Sequence, residues 1–170
     1  MVATKGSEPA HMNTTTMELK GDREIVIART FNGPARIVFD AWTKPELVRR
    51  WWAPRSLGVT LASCDADVSV GGKYRYVLKG RKGDELGFSG QYVEVDRPNR
   101  LVYTQIFEPM SDAGEAIITI TFDEHRGQTD VVSSEIYPSA EARDAAVSSG
   151  MEHGMREAMD QLDELVTSLS

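Results

Sequence analysis

The stretch SSGMEHGMREAMDQLDELV, residues 148–166, decides how the rest of the chain is read. Its apolar side chains recur at helical spacing. With Met155 set at zero and about 100° per residue, Met151, Ala158, Met159, Leu162, Leu165 and Val166, with Leu169 beyond, fall between about −80° and +40°. Glu152, His153, Arg156, Glu157, Asp160, Asp163 and Glu164 fill the rest of the circumference. One apolar stripe with a charged back predicts a long helix laid across another layer. The stripe is Met and Ala in its first half, Leu and Val in its second, and methionine adapts to irregular surroundings. Gly150 and Gly154 each cost about 1 kcal/mol against alanine in a helix interior. They sit at the border of the stripe, near −140° and −100° on the same wheel at about 100° per residue. The pattern predicts that they thin the helix edge over the mouth of a cavity, with Met151 and Met155 as an adjustable lid. A simpler reading is that Gly150 only starts the helix, leaving Gly154 to be explained.

What precedes this helix has period two. REIVIARTF (23–31) is a first strand with Ile25 and Ile27 on one face. Asn32-Gly33 breaks it, and Pro34 suits the first turn of a short helix, PARIVFDAWT (34–43). Thr43 with Glu46 three residues later has the form of a capping box for a second short helix, KPELVRRWW, which stops at Ala53-Pro54. From Leu57 to Pro138 about six strands alternate with turn signals such as RKGD, RPNR and HRGQ, which argues for an antiparallel meander. Gly71-Gly72 reads as a bulge that bends the sheet, and Gly90 as a bulge or a point of close approach. Ser139 is placed to cap a short helical turn, AEARDAAV, ahead of the main helix. The expected fold is α+β: a curved antiparallel sheet of about seven strands around a long C-terminal helix, with two short helices after the first strand. Residues 1–21 are expected to be a flexible tail and residues 22–170 a single domain.

Composition narrows the function. The net charge of −7 leaves no basic surplus for phosphates, so nucleic acid is not expected as a partner. Cys64 is the single cysteine, no apolar leader begins the chain, and no run of about 18 apolar residues occurs. A soluble cytoplasmic protein without membrane partners is the expectation.

The strands carry the richer chemistry. Tyr74, Tyr76, Phe88, Tyr92, Tyr103 and Phe107 form an aromatic set, and buried tyrosines need partners for their hydroxyls. Trp51 and Trp52 point about 100° apart on a helix, so one is expected in the core or a cavity wall and the other as a cover. The histidines are scattered: His11 in the tail, His125 in a turn, His153 on the polar face of the helix. No metal-ligand spacing occurs, and no metal or cofactor is expected. Asp65 and Asp67 share a strand face opposite Lys73 and Arg75, which reads as a solvated charge patch. Glu135, in VVSSEIY, could face inward, where burial would raise its pKa, but facing solvent is the favoured reading.

The runs FNGPARIVFDAWTKPELVRRWWAP, GGKYRYVLKG, GFSGQYVEVDRPNRLVYT and GMEHGMREAMDQLDEL resemble the SRPBCC superfamily of START-like, helix-grip domains. The branch they resemble is named for the C-terminal domain of activators of the heat-shock protein 90 ATPase. The resemblance covers about residues 23–168 and implies an apolar cavity between sheet and helix that takes small hydrophobic or aromatic molecules. Beside it, the residues themselves give a candidate ligand wall of Trp42, Trp51, Tyr74, Tyr76, Phe88, Tyr92, Tyr103, Phe107, Met151, Met155 and Met159. A binding protein is the leading expectation. Its rivals are a cavity enzyme of the cyclase or hydrolase type working by acid–base chemistry, with Glu135 and the tyrosines as candidates, and a co-chaperone-like interaction domain with an exposed apolar patch including Trp52. Homodimerisation through a sheet edge or the tryptophan helix is left open.

Overall fold

The structure, a computed structural model, describes residues 14–170. In chain order its elements are β1 (Thr16–Lys20), β2 (Glu24–Phe31), α1 (Ala35–Thr43), α2 (Pro45–Val48), β3 (Thr60–Ala66), β4 (Lys73–Lys79), β5 (Glu85–Asp96), β6 (Arg100–Phe107), β7 (Ala116–His125), β8 (Gln128–Ile136), α3 (Ala140–Ser148) and α4 (Met151–Leu169). All eight strands form one antiparallel sheet in the order β1-β2-β8-β7-β6-β5-β4-β3. The chain thus leaves β2, makes its helical excursion, and returns as a meander whose last strand closes beside β2. The concave face is lined by Ile25, Ile27, Phe31, Leu101, Ile118, Ile120, Phe122 and Val131. Val38, Phe39, Ala41 and Trp42 of α1 and Leu162, Leu165 and Val166 of α4 complete the same core. This is the α+β helix-grip arrangement that the sequence implied.

The departures have local causes. The sheet has eight strands, not seven, because β1 lies in what the sequence presented as a tail. Met17 and Leu19 are its only large apolar residues, and its ladder rests on β2, with Met17 opposite Ile27 and Leu19 opposite Ile25. Residues 1–13 of the expected tail lie outside the described residues. The capping box is absent: Thr43 is still the last residue of α1 and its hydroxyl donates to the Phe39 carbonyl at 3.0 Å, while Lys44 precedes α2 with no side-chain cap. Gly71-Gly72 is the turn into β4, bonded to Tyr92 through Gly71 N–H and the Gly72 carbonyl, and the register shifts fall instead between Leu61 and Ser63 and between Tyr92 and Glu94.

The terminal helices follow the pattern closely. The Ser139 hydroxyl accepts from Ala142 N–H at 3.0 Å and caps α3. Gly150, at φ +83°, makes the left-handed joint between α3 and α4. Leu169, placed in the apolar stripe by periodicity, is 40% exposed because the stripe has run past the sheet. Arg29 was not expected inside. It alternates with Ile27 and Phe31 on the inner face of β2, where Asp160 and Asp163 of α4 and the Thr15 hydroxyl receive its guanidinium. Among the described residues no helix is long and apolar enough to cross a membrane.

Candidate functional site

One row of residues runs across the concave face at the middle of the sheet. Strand register sets Ile25 beside Glu135, Glu135 beside Ile118, Ile118 beside Tyr103, and Tyr103 beside Tyr92. Aliphatic side chains fill the β2 end of this face and aromatic ones the β4–β6 end. Tyr74 packs at 5.2 to 5.6 Å, centroid to centroid, on Tyr76, Tyr92 and Tyr103. Gly90 makes this possible. A Cβ there would collide with the Thr104 carbonyl oxygen and stand 2.8 Å from Tyr74 Cε2. The Tyr74 ring crosses the bare glycine, and its hydroxyl donates to the Thr104 carbonyl at 2.7 Å, with Gln105 Oε1 at 3.2 Å.

These rings enclose a void of about 20 Å³, room for about one water. Tyr74, Tyr76, Tyr92 and Tyr103 line it with Trp42, Trp52, Leu101 and Gln105. The Tyr76 hydroxyl lies close to that of Tyr92, and the Trp42 indole close to the Tyr103 hydroxyl. Burial pushes all four phenols above their ordinary pKa, Tyr92 to about 12, so each keeps its proton.

The two adjacent tryptophans divide their work. Trp51 is buried, donates its indole N–H to the Ala41 carbonyl at 2.8 Å, and stands edge-on to Trp42 at 5.0 Å. Trp52 is half-buried and lies edge-on to Tyr76 at 5.1 Å and to Phe88 at 5.0 Å, closing the void from outside. The wall expected to hold Trp51 therefore holds Trp52. Phe88 and Phe107 pair at 5.0 Å outside the void and extend the surface on which Trp52 rests. Met159 is core, and Met151 and Met155 pack half-buried against the core without lining the void.

The loop carrying Trp52 is strapped to α4. Gln161, buried on the flank of the apolar stripe, donates to the carbonyls of Trp51 and Ala53 at 2.9 Å each, and its Oε1 accepts from Arg55 N–H at 2.9 Å. Glu157 accepts from the Ser56 N–H at 2.8 Å and from its hydroxyl, which holds the Glu157 carboxyl below its ordinary pKa. Gly154 faces the same loop, but a Cβ there would meet Pro54 Cγ at 3.5 Å and Leu57 Cδ1 at 3.7 Å, ordinary contacts. No thinning of the helix edge is needed. The simpler reading of the glycines is the one that the geometry favours.

Glu135 faces inward, against the favoured expectation. Tyr137 O–H donates to its Oε1 at 2.9 Å, and desolvation raises its pKa above the ordinary value despite that bond. Tyr103 feels its charge through space. Asp65 and Asp67 are both exposed, and Arg75, opposite Asp65, forks onto Glu108 at 2.9 and 2.7 Å. Among the described residues no three His, Cys, Asp or Glu side chains gather as a metal site would require. Trp52, Leu101 and Gln105 were the wall residues absent from the expected set. Gln105 was reachable through the alternation Leu101, Tyr103, Gln105, Phe107, which places it on the tyrosine face.

No curated protein matches the chain. Solved structures do. A protein from Rhodobacter sphaeroides is 25% identical, with 91% of this chain and 99% of that one covered and a TM-score of 0.83. One from Mycobacterium smegmatis is 25% identical over 89% and 96%, at 0.78. A Staphylococcus epidermidis protein is 28% identical over 91% and 95%, at 0.76. The family model for Activator of Hsp90 ATPase homolog 1-like protein matches residues 32–167, from the Asn32-Gly33 turn to the last turns of α4. With the helix-grip fold and the grip around α4 in place, the chain belongs to the Activator of Hsp90 ATPase homolog 1-like family.

Proposed function

We propose that the protein binds a small neutral aromatic molecule on the concave face between β4–β6 and α1. The observation that carries this reading is the void walled by tyrosine and tryptophan, a place where four phenols converge instead of aliphatic packing. At about 20 Å³ the void does not admit such a molecule as it stands, so entry requires the Trp52 loop to move outward and Tyr76 to be uncovered. Ring-on-ring contacts to Trp42, Tyr74 and Tyr92 then replace those made by Trp52. The test is a titration of the full chain with indane, followed by amide and indole N–H shifts in NMR. Shifts grouped on β4–β6 and on the indoles of Trp42 and Trp52 support the reading. An unperturbed spectrum at millimolar indane removes it.

A second reading, acid–base catalysis in the same space, is favoured by one observation: the inward Glu135 carboxyl beside Tyr103 and Tyr137. It requires that this carboxyl hold its proton to higher pH than a solvated one, and it fails if Glu135 titrates normally. The interaction-domain reading has less support, because Trp52 is engaged with Tyr76 and Phe88 rather than displayed.

A further inference from the structure

The helices α1 and α4 pack on the inner face of the sheet, and the outer face has a character of its own. There Ile117 and Ile136 stand opposite each other on β7 and β8, and Val132 lies further along β8, opposite Thr121. The three apolar side chains are 48%, 42% and 40% exposed. Around them, over residues 26–28, 132–136, 117–121 and 102–104, the outward positions hold only Val, Ala, Ile, Ser and Thr. In a chain with 26% charged residues, a field across four strands without a single charge has the composition of an interface core. Its rim is charged: Glu18 and Lys20 on β1, Glu24 on β2, and the Glu94–Arg100 ion pair at 3.2 Å on β5 and β6.

We propose that two copies of the chain stack through this outer face, sheet on sheet, as a weak homodimer. Charge selects a second copy. The segment 140–170, which forms α3 and α4, holds seven acids against two arginines, a net −5 within the chain's −7. The outer face is therefore the side on which two acidic copies meet the least repulsion. A charged partner would find no countercharge in the middle of the field, whereas a second copy presents the same uncharged surface and leaves no charge buried alone. Topology agrees. The field lies on strands interior to the sheet, whose ladders are paired on both sides, so only side-chain packing is on offer, as between sheets stacked about 10 Å apart. Area fits a weak dimer. The six strands from β1 to β5 at about 4.8 Å, by five residues at about 3.4 Å, give about 500 Å² on each copy, and about 1,000 Å² for the pair is the lower bound of a specific contact. The sheet edges are poorer sites: β1 is five residues long, and β3 has a register shift between Leu61 and Ser63, with Arg49 Nη1 donating to the Leu61 carbonyl at 3.5 Å.

Sedimentation equilibrium of the full chain over a concentration series reaching about 1 mM tests this. The average mass should climb from 18.8 kDa toward twice that value, with a dissociation constant on the order of 10–100 µM for so small an area. Ile117→Lys sets a lysine from each copy into the uncharged field and should weaken the dimer at least about tenfold. Val132→Lys, on the neighbouring strand, makes the same test should the first variant fail to fold by circular dichroism. Leu19→Lys, on the β1 edge, should leave the dimer intact. A parent that stays at 18.8 kDa throughout the series overturns the proposal. So does a dimer that the folded Ile117→Lys or Val132→Lys variant leaves unchanged, and its loss in Leu19→Lys alone would place the contact at the sheet edge instead. None of these outcomes bears on the ligand reading, which concerns the opposite face of the sheet.

Discussion

Glu135 is a carboxyl on the inner face of β8, with one hydrogen bond, from Tyr137. Desolvation favours its neutral form, so folding raises its pKa from the ordinary 4.5. Relative to the unfolded chain, the stability linked to this group is fully present below about pH 4.5 and is lost as pH rises through the folded value. Glu135→Gln stays neutral throughout. The variant should therefore gain stability relative to the parent as pH is raised from about 4.5 toward 8, read from urea midpoints at several pH values. A difference independent of pH would mean that the carboxyl is as well solvated folded as unfolded, and the acid–base reading would go with it. Periodicity could not place this residue, because VVSSEIY offers a valine to each face: Val131 and Glu135 share one, Val132 and Ile136 the other. Pairing settles the matter, since Glu135 lies between Ile25 and Ile118, both fully inside. The same limit applies to Trp51 and Trp52, where adjacency says that they diverge but not which one turns inward.

At the scale of the element, α4 was legible over most of its length. Ala158, Met159, Leu162, Leu165 and Val166 are buried as the wheel requires, because a stripe that wide has only one way to meet a sheet. Gln161 escaped the reading. Its aliphatic stem borders the stripe, and its amide is buried only because three backbone groups of the 51–55 loop need partners there, a demand that no local pattern signals. The two glycines separate cleanly. Gly150 is required by its φ of +83°, whereas Gly154 is an ordinary helical position with a methyl's worth of space toward Pro54 and Leu57. Gly154→Ala should stabilise the protein by up to about 1 kcal/mol through helix propensity. A rise in the midpoint of thermal or urea unfolding checks it. A loss of stability would show that the helix and the Trp52 loop approach more closely than 3.5 Å during some necessary motion.

For the whole molecule, the question is how a closed helix grip admits anything. Around α1, α4 and the β2–β8–β7 strands the interior is filled by Ile25, Val38, Phe39, Ile120 and Leu162, and displacing these would cost the fold itself. The aromatic end differs. Its outer cover is a single half-buried ring, Trp52, on a loop tied to α4 by polar contacts, with Pro54 and Leu57 its apolar side chains facing Gly154. Of these straps the Glu157–Ser56 contact is exposed, where water is an alternative partner, and such a contact releases more readily than a buried ridge. Entry through Trp52 therefore disturbs the least of the molecule. Trp52→Ala should convert the closed void into an open pocket about the size of the lost indole, at a cost of about 1–3 kcal/mol, below that of a fully buried tryptophan. Added indole should then raise the melting temperature of the variant and leave the parent almost unchanged, because it refills a space that the parent already occupies. If indole stabilises parent and variant equally, the gate lies elsewhere on the rim. The half-buried Met151 and Met155 on α4 would then be the next residues to truncate, since they are the softest side chains on the grip.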